Sequence, residues 1–181
     1  LGGGVYCANG GTVLLESGRI GDNTATSGGG LYLDDCLFNS FAGSTVDAVC
    51  PTGGSGVVCN VAASTGGGIY ATNGSSVNLI GSADAPATVA ENDADEGGGL
   101  YLTGAGTTAD ATDAWFVDNQ GAFEGGAVYA RAGASFTMDI ADPDCRGSRC
   151  SLMRNNFSAI AGGVGGAIAA DSGADVVVHQ T

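Results

Sequence analysis

The chain has 181 residues, of which 34 are glycine and only 3 are proline, and its formal net charge at pH 7 is −14. So much glycine is incompatible with long helices, and the glycines lack the every-third-residue spacing of collagen. Its 19 acidic residues face five arginines and no lysine. Contact with nucleic-acid phosphates or with anionic lipid head groups requires basic side chains. We therefore expect no nucleic-acid partner and no direct insertion of this segment into a membrane.

The first predicted element of each repeat is a short strand that follows a glycine motif. The motif occurs six times, starting at Gly2 (GGGVYC), Gly28 (GGGLYL), Gly66 (GGGIYA), Gly97 (GGGLYL), Gly125 (GGAVYA) and Gly165 (GGAIAA). Successive copies start 26 to 40 residues apart. Repetition at such a period predicts a solenoid, in which each repeat buries its apolar face only by stacking on its neighbours.

The residue after the aliphatic one is expected to point outward, since side chains alternate along a strand. All five tyrosines of the chain occupy this register, and the sixth copy has Ala169 there. The sequence therefore predicts an outward tyrosine ladder, which either stiffens the sheet or presents a flat aromatic platform to a ligand. Its members are Tyr6, Tyr32, Tyr70, Tyr101 and Tyr129.

Two further strands are predicted in each repeat. The second is a short alternating strand, and the third ends in an apolar residue followed three places later by asparagine. This spacing places the asparagine at the corner before the next glycine motif, where stacked amides can bond to one another. The predicted ladder contains Asn23, Asn60, Asn92 and Asn119; the fifth repeat offers either Asn155 or Asn156.

These elements predict an all-β fold, a right-handed parallel β-helix of about six rungs with three short strands each. The handedness follows only from the general crossover preference. Residues 1–181 are expected to form a single β-helix segment, with loop insertions near 36–56 and 141–151. Both ends fall within a repeat, so we expect the segment to belong to a longer chain.

Six cysteines in an extracellular setting would indicate disulfides, with reduced buried cysteines as the alternative. Two pairs bracket short loops in the longest repeats, and we predict that these pairs form bridges. Cys7 and Cys36 either pair across adjacent rungs or leave Cys7 for another partner. The predicted bridges are Cys50 to Cys59 and Cys145 to Cys150.

Acidic residues gather around one register of the predicted helix. Glu91 and Asp118 directly precede ladder asparagines and should lie one above the other, with Asp93 and Asp95 nearby. Carboxylates at such a spacing shift a pKa or recruit a cation. A solvated acidic face is the favoured interpretation, a calcium site is the alternative, and no other cofactor is expected.

The repeats resemble those of the chlamydial polymorphic outer membrane proteins and of related bacterial secreted right-handed β-helix proteins. The resemblance rests on GGAV from Gly125, GGAI from Gly165 and the Phe-x-x-Asn motif at 116–119. The other repeats use GGG and replace the phenylalanine. The resemblance implies an extracellular or surface-displayed rod and supplies no catalytic residues.

The sequence therefore predicts a non-catalytic, secreted or cell-surface β-solenoid segment that serves as a stalk, adhesin passenger or structural element. Its expected partner is another protein or a glycan. Two alternatives remain open. One is an extracellular filament subunit whose copies stack end to end, and the other is a polysaccharide lyase or hydrolase that uses Glu91 and Asp118.

Overall fold

A computed structural model describes residues 1–16, 18–41, 45–47, 60–82, 85–139, 151–159 and 162–179. Within these ranges the regular structure consists of 21 β-strands, numbered along the chain, and no helix. It follows that the described residues include no helix suited to crossing a membrane. The predicted all-β fold class is confirmed.

The strands form four parallel sheets, named A to D in the order in which the chain visits them. Each sheet stacks equivalent strands of successive rungs. Sheet A contains β1 (Val5–Ala8), β4 (Leu31–Asp34), β8 (Ile69–Thr72), β12 (Leu100–Thr103), β16 (Val128–Arg131) and β20 (Ile168–Ala170). Sheet B contains β2 (Thr12–Leu15), β5 (Leu37–Ser40), β9 (Ser76–Ile80), β13 (Thr108–Thr112), β17 (Ser135–Asp139) and β21 (Asp175–Val178). Sheet C contains β6 (Thr45–Asp47), β10 (Ala87–Ala90), β14 (Ala114–Val117) and β18 (Leu152–Arg154). Sheet D contains β3 (Thr24–Ser27), β7 (Val61–Thr65), β11 (Asp93–Glu96), β15 (Gln120–Glu124) and β19 (Phe157–Ser158).

Equivalent positions of neighbouring rungs lie opposite one another. In sheet A, Tyr6 pairs with Tyr32 and Leu100 pairs with Val128, both in parallel register. Sheet D alone shows register irregularities, as between Ala94 and Glu96. This in-register parallel stacking is that of a parallel β-solenoid, and the right-handed winding stays a prediction.

The prediction of three strands per rung is wrong, because each complete rung has a fourth strand in sheet D. This strand follows the ladder asparagine and occupies the residues before the next glycine motif. Its inward positions carry small side chains such as Ala62 and Ala94, each only 3% exposed. Periodicity of large apolar residues therefore could not reveal it.

The structure describes part of the first predicted insertion and almost none of the second. Residues 36–56 contain β5 and β6, and Val46 of β6 pairs with Val89. Residues 48–59 lie outside the described residues, as do 140–150, which hold nearly all of the second predicted insertion.

The core is a narrow column of inward side chains from sheets A, B and C. Leu31, Ile69 and Leu100 of sheet A are fully buried in successive rungs. Phe116 of sheet C meets Phe136 of sheet B edge to face, with ring centroids 5.8 Å apart. Burial of these side chains supplies the apolar driving force that no single rung could generate alone.

The second glycine of the first five motifs lets neighbouring rungs approach closely at the corner between sheets D and A. A Cβ atom on Gly98 would lie 2.2 Å from the carbonyl oxygen of Gln120, closer than van der Waals contact permits. At the equivalent Gly166, the nearest atom would lie 3.6 Å away, which is ordinary contact.

We expect Gly98→Ala to lower the free energy of unfolding by about 2–3 kcal/mol, because the added methyl group meets backbone that cannot rotate away. Gly166→Ala is the matched control at the same motif position and should change stability by less than about 0.5 kcal/mol. Urea unfolding of the 181-residue chain measures both. Equal midpoints for the two variants would contradict the close approach at Gly98.

Candidate functional site

A continuous ladder of asparagine amides runs through the corner between sheets C and D. Each Nδ2 donates to the Oδ1 of the asparagine one rung further along the chain. The four distances are 3.0, 3.1, 2.9 and 2.9 Å. Its members are Asn23, Asn60, Asn92, Asn119 and Asn156, so the fifth repeat contributes Asn156.

The same amides also bond to the backbone at this corner. Asn119 Nδ2 donates to the carbonyl oxygen of Val89 at 2.9 Å, and its Oδ1 accepts from the backbone N–H of Asn92 at 3.1 Å. The three central side chains of the ladder are fully buried. Buried amides cost free energy unless they are bonded, so the ladder acts as a structural spine.

The tyrosines form the second continuous column, on the outer face of sheet A. From Tyr6 through Tyr32 and Tyr70 to Tyr101, the rings stack with centroid distances of 5.5, 4.7 and 5.2 Å and interplanar angles of at most 21°. Tyr129 turns edge-on to Tyr101 at 5.4 Å. The ring faces therefore contact one another, so this arrangement favours the stiffening role over the flat platform.

Exposure falls along the tyrosine column. Tyr6 is 53% exposed, whereas Tyr101 and Tyr129 are 6% and 2% exposed. The last two members are thus buried, although the sequence predicted a surface position. Asp171 of the neighbouring rung and Glu124 of sheet D approach the hydroxyl of Tyr129, and Arg131 approaches that of Tyr101.

Several of these side chains contact Tyr129. Its hydroxyl donates to Oδ2 of Asp171 at 2.8 Å, and the Arg131 guanidinium lies 5.8 Å from the centroid of its ring. Arg131 also approaches Asp171, with Nε 3.8 Å from Oδ1. Burial raises the pKa of the Tyr129 hydroxyl, which the neighbouring carboxylates raise further.

Beside this cluster lies a carboxyl pair that sequence reasoning missed. Glu96 and Glu124 face each other in adjacent strands of sheet D. Partial burial raises the pKa of Glu96, and the charges of Glu124 and Asp171 raise it further against the opposing effect of Arg131. The available signal was positional, because both glutamates directly precede a glycine motif.

The predicted acidic register has a conformational cause. Asp22, Glu91, Asp118 and Asn155 all precede a ladder asparagine and adopt positive φ values of 54°, 51°, 55° and 54°. Aspartate and asparagine tolerate this left-handed conformation better than most residues, which favours them at this corner. Their acidity therefore does not by itself indicate a metal site.

The structure nevertheless brings three of the predicted acidic residues together. Glu91, Asp93 and Asp118 line a cleft of about 420 Å³ at the corner between sheets C and D, and Asp95 is not among the lining residues. The lining is completed by Asn92, Gln120 and Phe157. Burial, with the nearby charge of Asp95, raises the pKa of Asp93.

No group of three or more His, Cys, Asp or Glu side chains suited to holding a metal ion is found in the part of the chain that the structure describes. Calcium binding around Glu91, Asp93, Asp95 and Asp118 therefore stays a prediction. What the cleft offers chemically is three carboxyl groups, the amides of Asn92 and Gln120, and one aromatic ring.

One disulfide joins two rungs. Cys7 in β1 bonds to Cys36, which follows β4, across a sequence separation of 29 residues. Both side chains are buried at the corner between sheets A and B. The predicted bridges Cys50–Cys59 and Cys145–Cys150 lie outside the described residues.

Comparison of the chain with protein-family models, with curated proteins and with solved structures finds no match to any of them. The resemblance of the repeats to bacterial secreted β-helix proteins therefore rests on the sequence motifs alone.

We expect Asn92→Ala to lower the free energy of unfolding by about 2–4 kcal/mol, because it leaves buried groups on the neighbouring rungs without partners. Asn78→Ala is the control. Asn78 donates to Asn39 at 2.7 Å in an outer pair on sheet B that is only partly buried, so its loss should cost less than about 1 kcal/mol. Chemical denaturation compares the two. A similar cost for both would contradict the structural role of the buried ladder.

The raised pKa of Glu96 leads to a prediction about how the stability of the fold depends on pH. Its pKa in the folded state lies above the ordinary value of 4.5. Protonated Glu96 therefore makes its full contribution to stability below that value, and this contribution is lost as rising pH ionises the group. At pH 7 we expect Glu96→Gln to stabilise the fold by on the order of 0.5 kcal/mol, since solvent screens a partly exposed group. At pH 3.5 the difference should vanish.

Glu16→Gln is the matched control, because it removes one negative charge from an exposed site. Denaturation midpoints at the two pH values test the pair of variants. Equal stabilisation by both at pH 7 would assign the effect to net charge rather than to the Glu96–Glu124 pair.

Proposed function

We propose that the chain is a non-catalytic β-solenoid scaffold that is secreted or displayed at the cell surface, where it serves as a stalk, adhesin passenger or structural element. The observation that carries the proposal is the continuity of its columns. The asparagine amides bond through five successive rungs, and the tyrosine rings stack through five.

Such columns link successive rungs to one another along the solenoid axis. Each rung bonds to the rungs before and after it through backbone ladders, amides and rings, so a local disturbance is resisted on both sides. An extended rigid element that holds its outer faces at fixed spacing is what a stalk or a display scaffold requires. The contacts between rungs around Tyr129 add to this rigidity.

One observation supports a location outside the cell. The Cys7–Cys36 disulfide joins adjacent rungs, and disulfides persist in oxidising compartments. The formal charge of −14 with no lysine keeps such a surface soluble and repels other acidic surfaces. The proposed partner is accordingly a protein or glycan held at the outer face.

An antibody against residues 1–181 tests the location. We expect it to label intact cells of the source organism, or to detect the protein in the culture fluid, without permeabilisation. An antibody against a cytoplasmic protein serves as the control and should label permeabilised cells only. Labelling that appears only after permeabilisation would contradict the extracellular proposal.

The cleft favours one alternative, polysaccharide cleavage by Glu91 and Asp118. These carboxyl groups come from successive rungs and line the same cleft, as a pair of catalytic carboxyl groups would. The non-catalytic proposal expects no new reducing or unsaturated ends when the protein is incubated with a broad polysaccharide panel. Product formation that Glu91→Gln or Asp118→Asn abolishes would establish the enzyme instead.

A further inference from the structure

The cleft at the corner between sheets C and D combines features that the scaffold role leaves unused. Its floor is a column of equivalent outward positions, one from each of three successive rungs. Asp93 of β11 pairs with Gln120 of β15, and Gln120 pairs with Phe157 of β19. Neighbouring rungs of a parallel sheet lie roughly 4.8 Å apart, so the column presents a carboxylate, an amide and an aromatic ring at regular intervals.

Phe157 is an unusual residue at this position. Its side chain is 47% exposed although it lines a concave surface. The equivalent residues of the two preceding rungs, Gln120 and Asp93, are polar, and Val61 occupies the position one rung earlier. The position faces outward, so core packing does not account for the ring. An aromatic ring in a cleft with polar neighbours is the common arrangement for binding an amphipathic ligand, because the ring covers an apolar face while the polar groups fix orientation.

The polar groups define the chemistry of that ligand. Glu91, Asp93 and Asp118 offer carboxyl oxygens that accept hydrogen bonds, and Gln120 both donates and accepts. Among the residues that the structure describes, no basic side chain lines the cleft. A neutral ligand rich in hydroxyl groups suits these acceptors, whereas an anionic ligand would meet like charges at short range.

The cleft is also held rigidly. Asn92 lies in its wall and belongs to the buried ladder, where its Nδ2 donates to Asn119 at 2.9 Å. The backbone N–H of Phe157 donates to the carbonyl oxygen of Asn119 at 3.1 Å, which fixes the start of β19. A site whose walls are fixed before binding loses little entropy when a ligand enters.

We propose that this cleft binds a neutral glycan, with a sugar ring stacked on Phe157 and its hydroxyl groups bonded to Gln120 and the three carboxyl groups. The proposal deepens the proposed scaffold function, since it names the ligand class that the displayed surface carries. The pyranose face supplies the apolar contact, and the hydroxyl groups supply the donors. The volume of about 420 Å³ falls within the usual range for small-molecule sites.

Calorimetric titration of the purified chain tests the proposal with defined probes. These are neutral hexasaccharides of β-1,4-linked glucose, mannose or N-acetylglucosamine, and hexagalacturonate as the anionic probe. We expect at least one neutral hexasaccharide to bind and hexagalacturonate not to bind. If none of the neutral probes binds, or if the anionic probe binds as tightly as the best of them, the proposal is wrong.

Variants of two phenylalanines separate the site from general surface effects. Phe157→Ala should weaken binding about tenfold or more, the equivalent of 1.4 kcal/mol, and Phe157→Tyr should retain it. Phe123→Ala is the matched control, because Phe123 lies in the same sheet, is also 47% exposed and does not line the cleft. Its binding should equal that of the unaltered chain.

Equal loss of binding in the two alanine variants would overturn the assignment, as would unchanged binding in Phe157→Ala. Circular dichroism and urea midpoints confirm that each variant remains folded, which the exposure of both rings favours. The cellular location is measured separately with the antibody, so a glycan-binding failure and a failure of the extracellular proposal give different results.

Discussion

The close stacking of rungs at the corner between sheets D and A constrains the rest of this structure. Backbone from one rung lies so near the next that the second residue of the motif has room for hydrogen only, as at Gly98. The third glycine, present in the first four motifs, is constrained by backbone of the next rung as well as by the asparagine ladder. At both Gly68 and Gly99 the nearest atom to an added Cβ would be a carbonyl oxygen, at 2.6 Å. A Cβ atom on Gly68 would lie 3.1 Å from Cγ of Asn92, and one on Gly99 would lie 3.2 Å from Cγ of Asn119. The glycine motif and the asparagine, which are separate features along the chain, therefore form one packing unit.

That unit explains which parts of the fold the sequence could predict. The glycine motif, the alternating aliphatic residues and the asparagine spacing each report a contact between equivalent positions of neighbouring rungs, so repetition along the chain reveals them directly. Sheet D escaped detection because its inward residues are small, with Gly121 at one of them, and its register is irregular between Ala94 and Glu96. A strand that buries little apolar surface leaves little periodicity to detect.

The candidate sites were harder to predict because they depend on contacts between unlike positions. The Glu96–Glu124 pair could be found from its place before the glycine motif, but its relation to Tyr129 and Asp171 depends on how the corner folds. The tyrosine register was visible in the sequence. The burial of Tyr101 and Tyr129 was not, since the side chains that approach their hydroxyl groups, such as Asp171 and Arg131, lie at other positions of the repeat. A repeat pattern specifies columns, whereas the surroundings of a column depend on the corners between sheets.

The distinction between repeated and varied columns also indicates where specificity resides. Residues that carry the fold are held nearly constant from rung to rung, because each must match its counterpart above and below. The outward column Asp93, Gln120 and Phe157 changes its chemistry at every rung while its backbone spacing stays regular. Stacking does not require that variety, and a ligand that spans several rungs can use it. Under the proposed glycan binding, a solenoid of this kind separates the two tasks, with similar residues fixing the scaffold and dissimilar residues at equivalent outward positions selecting the ligand.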